Sequence, residues 1–261
     1  MTLWQAARQR LEATRDAALL LLAPQACRQC GGQAERVADG AVCRACWQDW
    51  FREQARRAQV CARCGRWADA EGTSVARRER CEQCSAWALE WLRSGGAYVG
   101  ALRAALLAFK RIPLMPEPLR RMLHETWRQE AALHASDLIA PIPLAPRRER
   151  QRGYNQAALL AREVAGVARL PVVTEALARV IETHPHRAGH DERARRDALK
   201  GAFRVARPRL IAGRRVLLVD DTLTSGATLD CAAQALLAAG ATAVSALTAA
   251  RAILRARAGA V

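Results

Sequence analysis

Read for the spacing of its apolar positions, the chain changes character twice. Over residues 3–22, Trp4, Ala7, Leu11, Ala18 and Leu22 recur on one face of a helix, interrupted by Thr14 and ended by Pro24. The periodicity then gives way to a cysteine-rich stretch, and from Ala97 onward extended and helical patterns alternate. An extended segment opens at 97–99; Leu102, Leu106 and Phe109 predict a short helix ending near Lys110. Residues 112–118 carry three Pro and read as a loop, after which Leu119, Met122, Leu123 and Thr126 return to helical spacing. DLIAPIPL at 137–144 predicts a strand, and 155–169 a helix with Leu160, Val164, Val167 and Ala168 on one side. VLLV at 216–219 is the short apolar run of a strand buried on both faces. Leu229, Ala232, Ala233, Leu236 and Leu237 form the next helix face, with Gly240 as its C-terminal cap, and 242–249 reads as a further buried strand. Such alternation predicts an α/β fold: a parallel sheet with helices on both faces.

Eight of the nine Cys lie in four C-x-x-C pairs, Cys27/Cys30, Cys43/Cys46, Cys61/Cys64 and Cys81/Cys84. Gly31 and Gly65 follow the first and third pairs. The second and fourth precede segments that read as helices, with Trp47 and Trp50, and Trp87 and Trp91, at one-face spacing. This repeat favours sequential pairing, Cys27, Cys30, Cys43 and Cys46 on one Zn²⁺ and Cys61, Cys64, Cys81 and Cys84 on another; a cross-brace of alternate pairs is the other arrangement. Four thiolates close the shell of a tetrahedral ion, which points to a structural metal, zinc before iron–sulfur. Ser94, Gly95 and Gly96 mark a linker, dividing the chain into residues 1–95, a helix and a double zinc module, and residues 96–261. The ninth Cys, Cys231, falls on a helix and reads as a buried thiol.

Charge changes the picture in one respect. The formal net charge is +16 and the pI about 10.9, which favours nucleic acid or phosphorylated substrates as partners. An equally direct source is coding bias: only Lys110 and Lys200 are Lys, and an excess of Arg and Ala is what GC-rich coding produces. No apolar run reaches the roughly 18 residues of a membrane span. Residues 17–23 are too short for a signal peptide and follow Arg15 and Asp16. The expectation is a cytoplasmic protein without membrane insertion, whose cysteine pairs bind metal and do not form disulfides.

Candidate chemistry gathers at 216–228, VLLVDDTLTSGAT. Asp220 and Asp221 stand at the carboxyl end of a strand, where open α/β sheets bind ligands. Thr222, Thr224 and Ser225 add hydroxyls, and the helix that follows brings unpaired N–H groups and the positive end of its dipole. That arrangement can hold a monophosphate, with the carboxylates on vicinal sugar hydroxyls; it also describes an ordinary capped turn with two solvated acids. Arg147, Arg148, Arg150 and Arg152 crowd the end of an earlier strand, either as a clamp for pyrophosphate oxygens or as a solvated charge run. The stretch 182–203 is rich in charge and poor in apolar residues and reads as a mobile loop; His184, His186 and His190 within it are candidates for a metal or an acid/base role, against simple solvation.

VLLVDDTLTSGATL resembles the signature of type I phosphoribosyltransferases, which bind phosphoribosyl pyrophosphate (PRPP). The resemblance implies that Asp220 and Asp221 contact the ribose hydroxyls and act at the reacting sugar. It assigns Thr222, Thr224, Ser225, Gly226, Ala227 and Thr228 to the 5′-phosphate loop. Mg²⁺ would bridge pyrophosphate and ribose, and Arg147, Arg148, Arg150 and Arg152 would receive the pyrophosphate. Purine-salvage members carry an acid where this chain has Thr224; orotate-type members do not. More narrowly, PIPLAP followed by RRERQRGYNQ, the pair Phe109-Lys110 and the cysteine module resemble the ComF family over nearly the whole chain. Tyr154 stands where that family has Phe, His186 where it has Gln, and Asp197 or Ala198 where it has Asn. Membership implies a type I phosphoribosyltransferase-like domain behind a zinc module. It also implies a role in DNA uptake during natural transformation, with single-stranded DNA or DNA-uptake proteins as partners. A protein that keeps the fold as a PRPP sensor or scaffold, without transferase chemistry, is the alternative.

Overall fold

The computed structural model describes residues 25–68, 79–181, 199 and 201–253. The helix expected over 3–22 and the loop residues His184, His186, His190, Asp197 and Ala198 lie outside them. The helices are α1 (Arg44–Ala55), α2 (Glu82–Ser85), α3 (Gly100–Phe109), α4 (Glu117–Gln129), α5 (Pro146–Arg152), α6 (Gln156–Ala168), α7 (Pro208–Ile211) and α8 (Ala227–Ala238). The strands are β1 (Leu92–Ala97), β2 (Leu138–Pro141), β3 (Leu177–Arg179), β4 (Phe203–Val205), β5 (Arg215–Leu223) and β6 (Ala243–Arg251). They group into two compact units interleaved along the chain, Met1–Arg56 with Val99–Arg121 and Arg57–Tyr98 with Met122–Val261.

In the described part of the first unit, α1 packs on α3. Leu102, Leu106 and Phe109 are buried there, as their spacing predicts. Trp47 and Trp50 of α1 are buried edge to face, ring centroids 5.9 Å apart. The Trp47 indole N–H donates to the Asp39 carbonyl at 3.2 Å.

The second unit is built on a four-stranded parallel sheet in the order β1-β6-β5-β2. Alternate positions explain why its strands read as unbroken apolar runs. Leu138, Ala140, Val216, Leu218, Val244 and Ala246 share one core with α8 and with Cys61, Cys64, Cys84 and Trp87. Ile139, Leu217, Val219 and Leu247 between them are equally buried. α6, whose Leu160 and Val164 stand outside that core, packs on β2 and β5. Both faces are covered, the condition for a parallel sheet. β3 and β4 form a separate antiparallel pair.

Four local expectations are corrected. Ser94, Gly95 and Gly96 are not a linker but part of β1, hydrogen-bonded to β6. The position needs Gly for space: a Cβ on Gly95 would lie 2.5 Å from Met122 Cε and 3.0 Å from the Ala249 carbonyl oxygen. The helix expected after the fourth cysteine pair stops at Ser85, and Trp87 and Trp91 do not share a helix. Arg63 draws the carbonyls of Cys84, Trp87 and Leu89 to its guanidinium. Glu90 N–H already bonds to Val244 at 2.7 Å, on the way into the sheet. β2 covers only four residues of the strand expected over 137–144, because Pro141 and Pro143 bring no N–H to a ladder; Ile142 still donates to Val219 at 2.9 Å. Cys231 is only partly buried.

Gly95→Val should lower stability by about 1–3 kcal/mol through overpacking. Equilibrium urea unfolding would show this as a reduced midpoint, and an unchanged midpoint would contradict the packing described for β1.

Candidate functional site

The cysteines fall into two sets, Cys27, Cys30, Cys43 and Cys46, and Cys61, Cys64, Cys81 and Cys84, each with all four sulfurs within 4.8 Å of one another. Pairing is sequential, as the repeat suggests, and the cross-brace is excluded. The repeat extends to the backbone: Gly31 N–H donates to the Cys27 carbonyl at 2.9 Å and Gly65 N–H to the Cys61 carbonyl at 3.0 Å. Sulfur–sulfur distances are 4.0 Å for Cys27–Cys46, 3.8 Å for Cys30–Cys43, and 3.6 Å for Cys61–Cys84 and Cys64–Cys81. A tetrahedral ion with zinc–sulfur bonds of about 2.3 Å spaces its ligands about 3.8 Å apart. The donor set therefore fits zinc in a closed, structural shell.

Each cluster holds one sulfur predisposed to the thiolate form a metal needs. Burial raises the Cys27 thiol, but the N–H groups of Cys43, Cys30 and Gln29 outweigh it and bring it down to about 6. Cys61 is likewise brought down to about 7 against burial, chiefly by the Cys64 N–H. The clusters differ in setting. Cys30 is exposed and Cys46 half-buried, whereas Cys61, Cys64 and Cys84 belong to the sheet's own core. The second cluster also has an arginine partner: buried Arg251, at the end of β6, reaches Cys64 Sγ at 3.6 and 3.7 Å and donates to the Cys64 carbonyl at 2.7 Å.

The second candidate site lies at the end of β5. This strand does not stop at Val219 but continues through Leu223, because β6 pairs with it as far as Arg251, while β2 ends opposite Val219. Asp220, Asp221 and Thr222 thus project past β2 and are half-buried. The Asp221 N–H donates to Asp220 Oδ1 at 2.8 Å, which holds the first carboxylate. Thr224, Ser225 and Gly226 form the turn; Thr224 is exposed and Ser225 buried. α8 begins at Ala227 behind Gly226, at φ +84°; the Ala227 N–H donates to Ser225 Oγ at 3.5 Å, and the next N–H groups of the helix start lie behind the turn. Thr222 Oγ1 is buried with no hydrogen-bond partner among the described residues.

The arginine run forms α5, whose seven residues are all at least partly exposed. Helical geometry divides it. Arg148 and Arg152, four apart, are half-buried on one side, and Arg147 and Arg150 are exposed. Arg152 donates to buried Gln156 at 2.5 Å. Asn155 caps α6 by accepting from Ala157 N–H at 3.0 Å and ties it to the residue just past β2 by donating to the Ile142 carbonyl at 2.9 Å. Arg152, Asn155 and Gln156 of the R-G-Y-N-Q run therefore do structural work. Arg148 differs: it and Asp220 both act electrostatically on Arg179 of β3. Burial lowers the Arg179 guanidinium from its ordinary value, Arg148 adds to that, and Asp220 opposes it. Arg179 also lies 5.6 Å over the Phe203 ring and lines a cleft of about 660 Å³ with Glu149, Tyr154, Arg162 and Glu175. Sequence reasoning missed Arg179, since a single Arg on a three-residue strand has no spacing signal; only the fold sets it beside Asp220.

No family model matches the chain. The chain is 30% identical over 212 residues to competence protein F of Haemophilus influenzae, covering 78% of this chain and 87% of that protein. It is 36% identical over 126 residues to DNA utilization protein YhgH of Escherichia coli K12, covering 48% of this chain and 53% of that protein. Among solved structures, glutamine PRPP amidotransferase from B. subtilis, complexed with ADP and GMP, is similar at a TM-score of 0.34 and 20% identity, over 50% of this chain and 26% of that one. No described helix is long and apolar enough to cross a membrane.

Elemental analysis should find two zinc ions per chain, one for each cluster. Cys30→Ser and Cys64→Ser should each lose one; a single ion in the unaltered protein would contradict the pairing.

Proposed function

This chain belongs to the ComF family of competence proteins, and on that premise we propose that it is a cytoplasmic, PRPP-binding, phosphoribosyltransferase-like protein serving DNA uptake. The carrying observation is the end of β5, where two carboxylates lead through a hydroxyl-bearing turn into the N-terminus of a helix. Asp220 and Asp221 would meet the ribose hydroxyls, and Thr222, Thr224, Ser225, Gly226, Ala227 and Thr228 the 5′-phosphate, which the N–H groups and dipole of α8 favour. Carboxylate oxygens also suit the Mg²⁺ that accompanies PRPP.

Of the four arginines of α5, Arg148 is best supported as a pyrophosphate ligand, because it is half-buried and acts electrostatically on Arg179, as Asp220 also does. Two neighbouring cations, one of them within the field of a carboxylate, suit a leaving group on which negative charge builds as the C1′ bond breaks. The DNA role is supported by the names of the two relatives and by the net charge of +16. Cysteines engaged as metal ligands agree with a reducing compartment. Thr224, exposed in the turn where some transferases carry an acid, favours a second reading, a site that binds PRPP as a sensor without transfer.

Isothermal titration with PRPP and Mg²⁺ tests the site. Asp220→Ala and Asp221→Ala should each weaken binding at least tenfold, about 1.4 kcal/mol, and unchanged affinity in both would refute the assignment. Pyrophosphate release in the presence of candidate acceptors separates the enzyme from the sensor. Affinity for single-stranded DNA should fall steeply between low and physiological salt if phosphate contacts dominate; a flat dependence would argue against a role for the basic surface.

A further inference from the structure

We infer that the metal held by Cys61, Cys64, Cys81 and Cys84 shapes the turn at Thr224–Gly226, so that ligand affinity at the end of β5 depends on metal in that cluster. The effect on affinity rests on the sugar-phosphate reading of the turn; the mechanical coupling does not.

The linkage can be followed bond by bond. Arg63 lies inside the Cys61–Cys64 knuckle, and its guanidinium donates to the carbonyls of Cys84 at 2.9 Å, Trp87 at 2.7 Å and Leu89 at 3.0 Å. It therefore sets the path of the chain leaving the last ligand. That path delivers two contacts to the start of α8. The Trp87 ring, 4% exposed, lies so close to Gly226 that a Cβ there would sit 2.3 Å from Cζ2 and 2.8 Å from Cε2 and Cη2. One residue on, Ala88 N–H donates to Asp230 Oδ1 at 2.7 Å. Asp230 is 3% exposed, stands in the first turns of α8, and takes Gln234 Nε2 on its other oxygen at 3.1 Å.

Gly226 is thus demanded twice, by its positive φ and by the ring above it. The Trp87 indole N–H is buried without a partner among the described residues, so the ring's seat depends on packing alone. Without the metal, the knuckle that aims Arg63 loses its cross-link, and both contacts lose their support. Trp87 and Asp230 are positioning residues for the turn; neither is assigned a contact with ligand.

The test uses the full chain. Cys30→Ser, predicted to leave only the second site loaded, is titrated with a zinc chelator while amide exchange is followed by mass spectrometry in peptides covering 222–231 and 138–142. Exchange at 222–231 should rise at least tenfold as zinc is released while β2 stays protected. Loop protection that persists after release, or is lost only together with β2, overturns the coupling. In zinc-loaded protein, Asp230→Ala should weaken PRPP binding about tenfold with metal content unchanged, and Asp230→Asn, which keeps an acceptor for Ala88, should restore it; equal affinity in all three also overturns it. If the unaltered protein binds no PRPP, the proposed ligand fails, and the exchange experiment still decides the coupling.

Discussion

A divalent ion caged by four thiolates carries net negative charge, and placing that charge in an apolar core is tolerable only with donors directed at the sulfurs. Cys61, Cys64 and Cys84 are in that situation, in one core with the strands and α8. Arg251 answers it, itself a buried cation that would be costly without the sulfur and carbonyls it meets. A second buried arginine, Arg93, pairs with Glu130 at 2.5 Å and donates to the Arg63 carbonyl at 3.1 Å. The second cysteine cluster is therefore not an appendage: one strand arginine of the sheet, Arg251, meets its sulfur, and another, Arg93, holds the backbone of its knuckle.

The same constraint organises the candidate site. Arg251 is registered against Leu223, the last residue of β5, so the residue that meets the cluster also ends the pairing that carries Asp220 and Asp221 beyond β2. From the other side, the chain leaving Cys84 closes over Gly226. The turn at Thr224–Gly226 sits between a β-ladder and a loop anchored in the second cysteine cluster, which gives an otherwise short turn two fixed boundaries. Arg148 of α5 and Asp220 of β5 then act in opposite senses on Arg179 of β3, three elements that share no sequence neighbourhood.

Much of this was legible in the chain. The run at 216–219 and the helix faces at Leu160/Val164 and Leu229/Leu236 are patterns that burial enforces locally, so they read correctly; a strand within 137–144 was legible too, though not its early end at Pro141. The four C-x-x-C pairs are equally local, since each knuckle closes on its own Gly or helix start. Errors came where distant partners override local propensity. Residues 86–91 carry helical spacing, but Arg63 and Val244 claim their backbone groups. Ser94 to Gly96 have linker composition, but Met122 and Ala249 require a strand residue without a side chain at Gly95. The four arginines at 147–152 look equivalent as a string and are divided by the turn of a helix.

By itself the sequence determined which side chains could ligate metal and where a strand would present carboxylates to a helix N-terminus, because those features depend on spacings of a few residues; it favoured the sequential cysteine pairing, which the structure then decided over a cross-brace. Only the tertiary structure decided that one cysteine cluster is buried in the sheet's core, that Arg179 lies in the field of both Arg148 and Asp220, and that Trp87 covers Gly226. Those pairings join positions far apart in the chain, and the energy that selects them, the desolvation of charge and the exclusion of volume, exists only once the layers have closed.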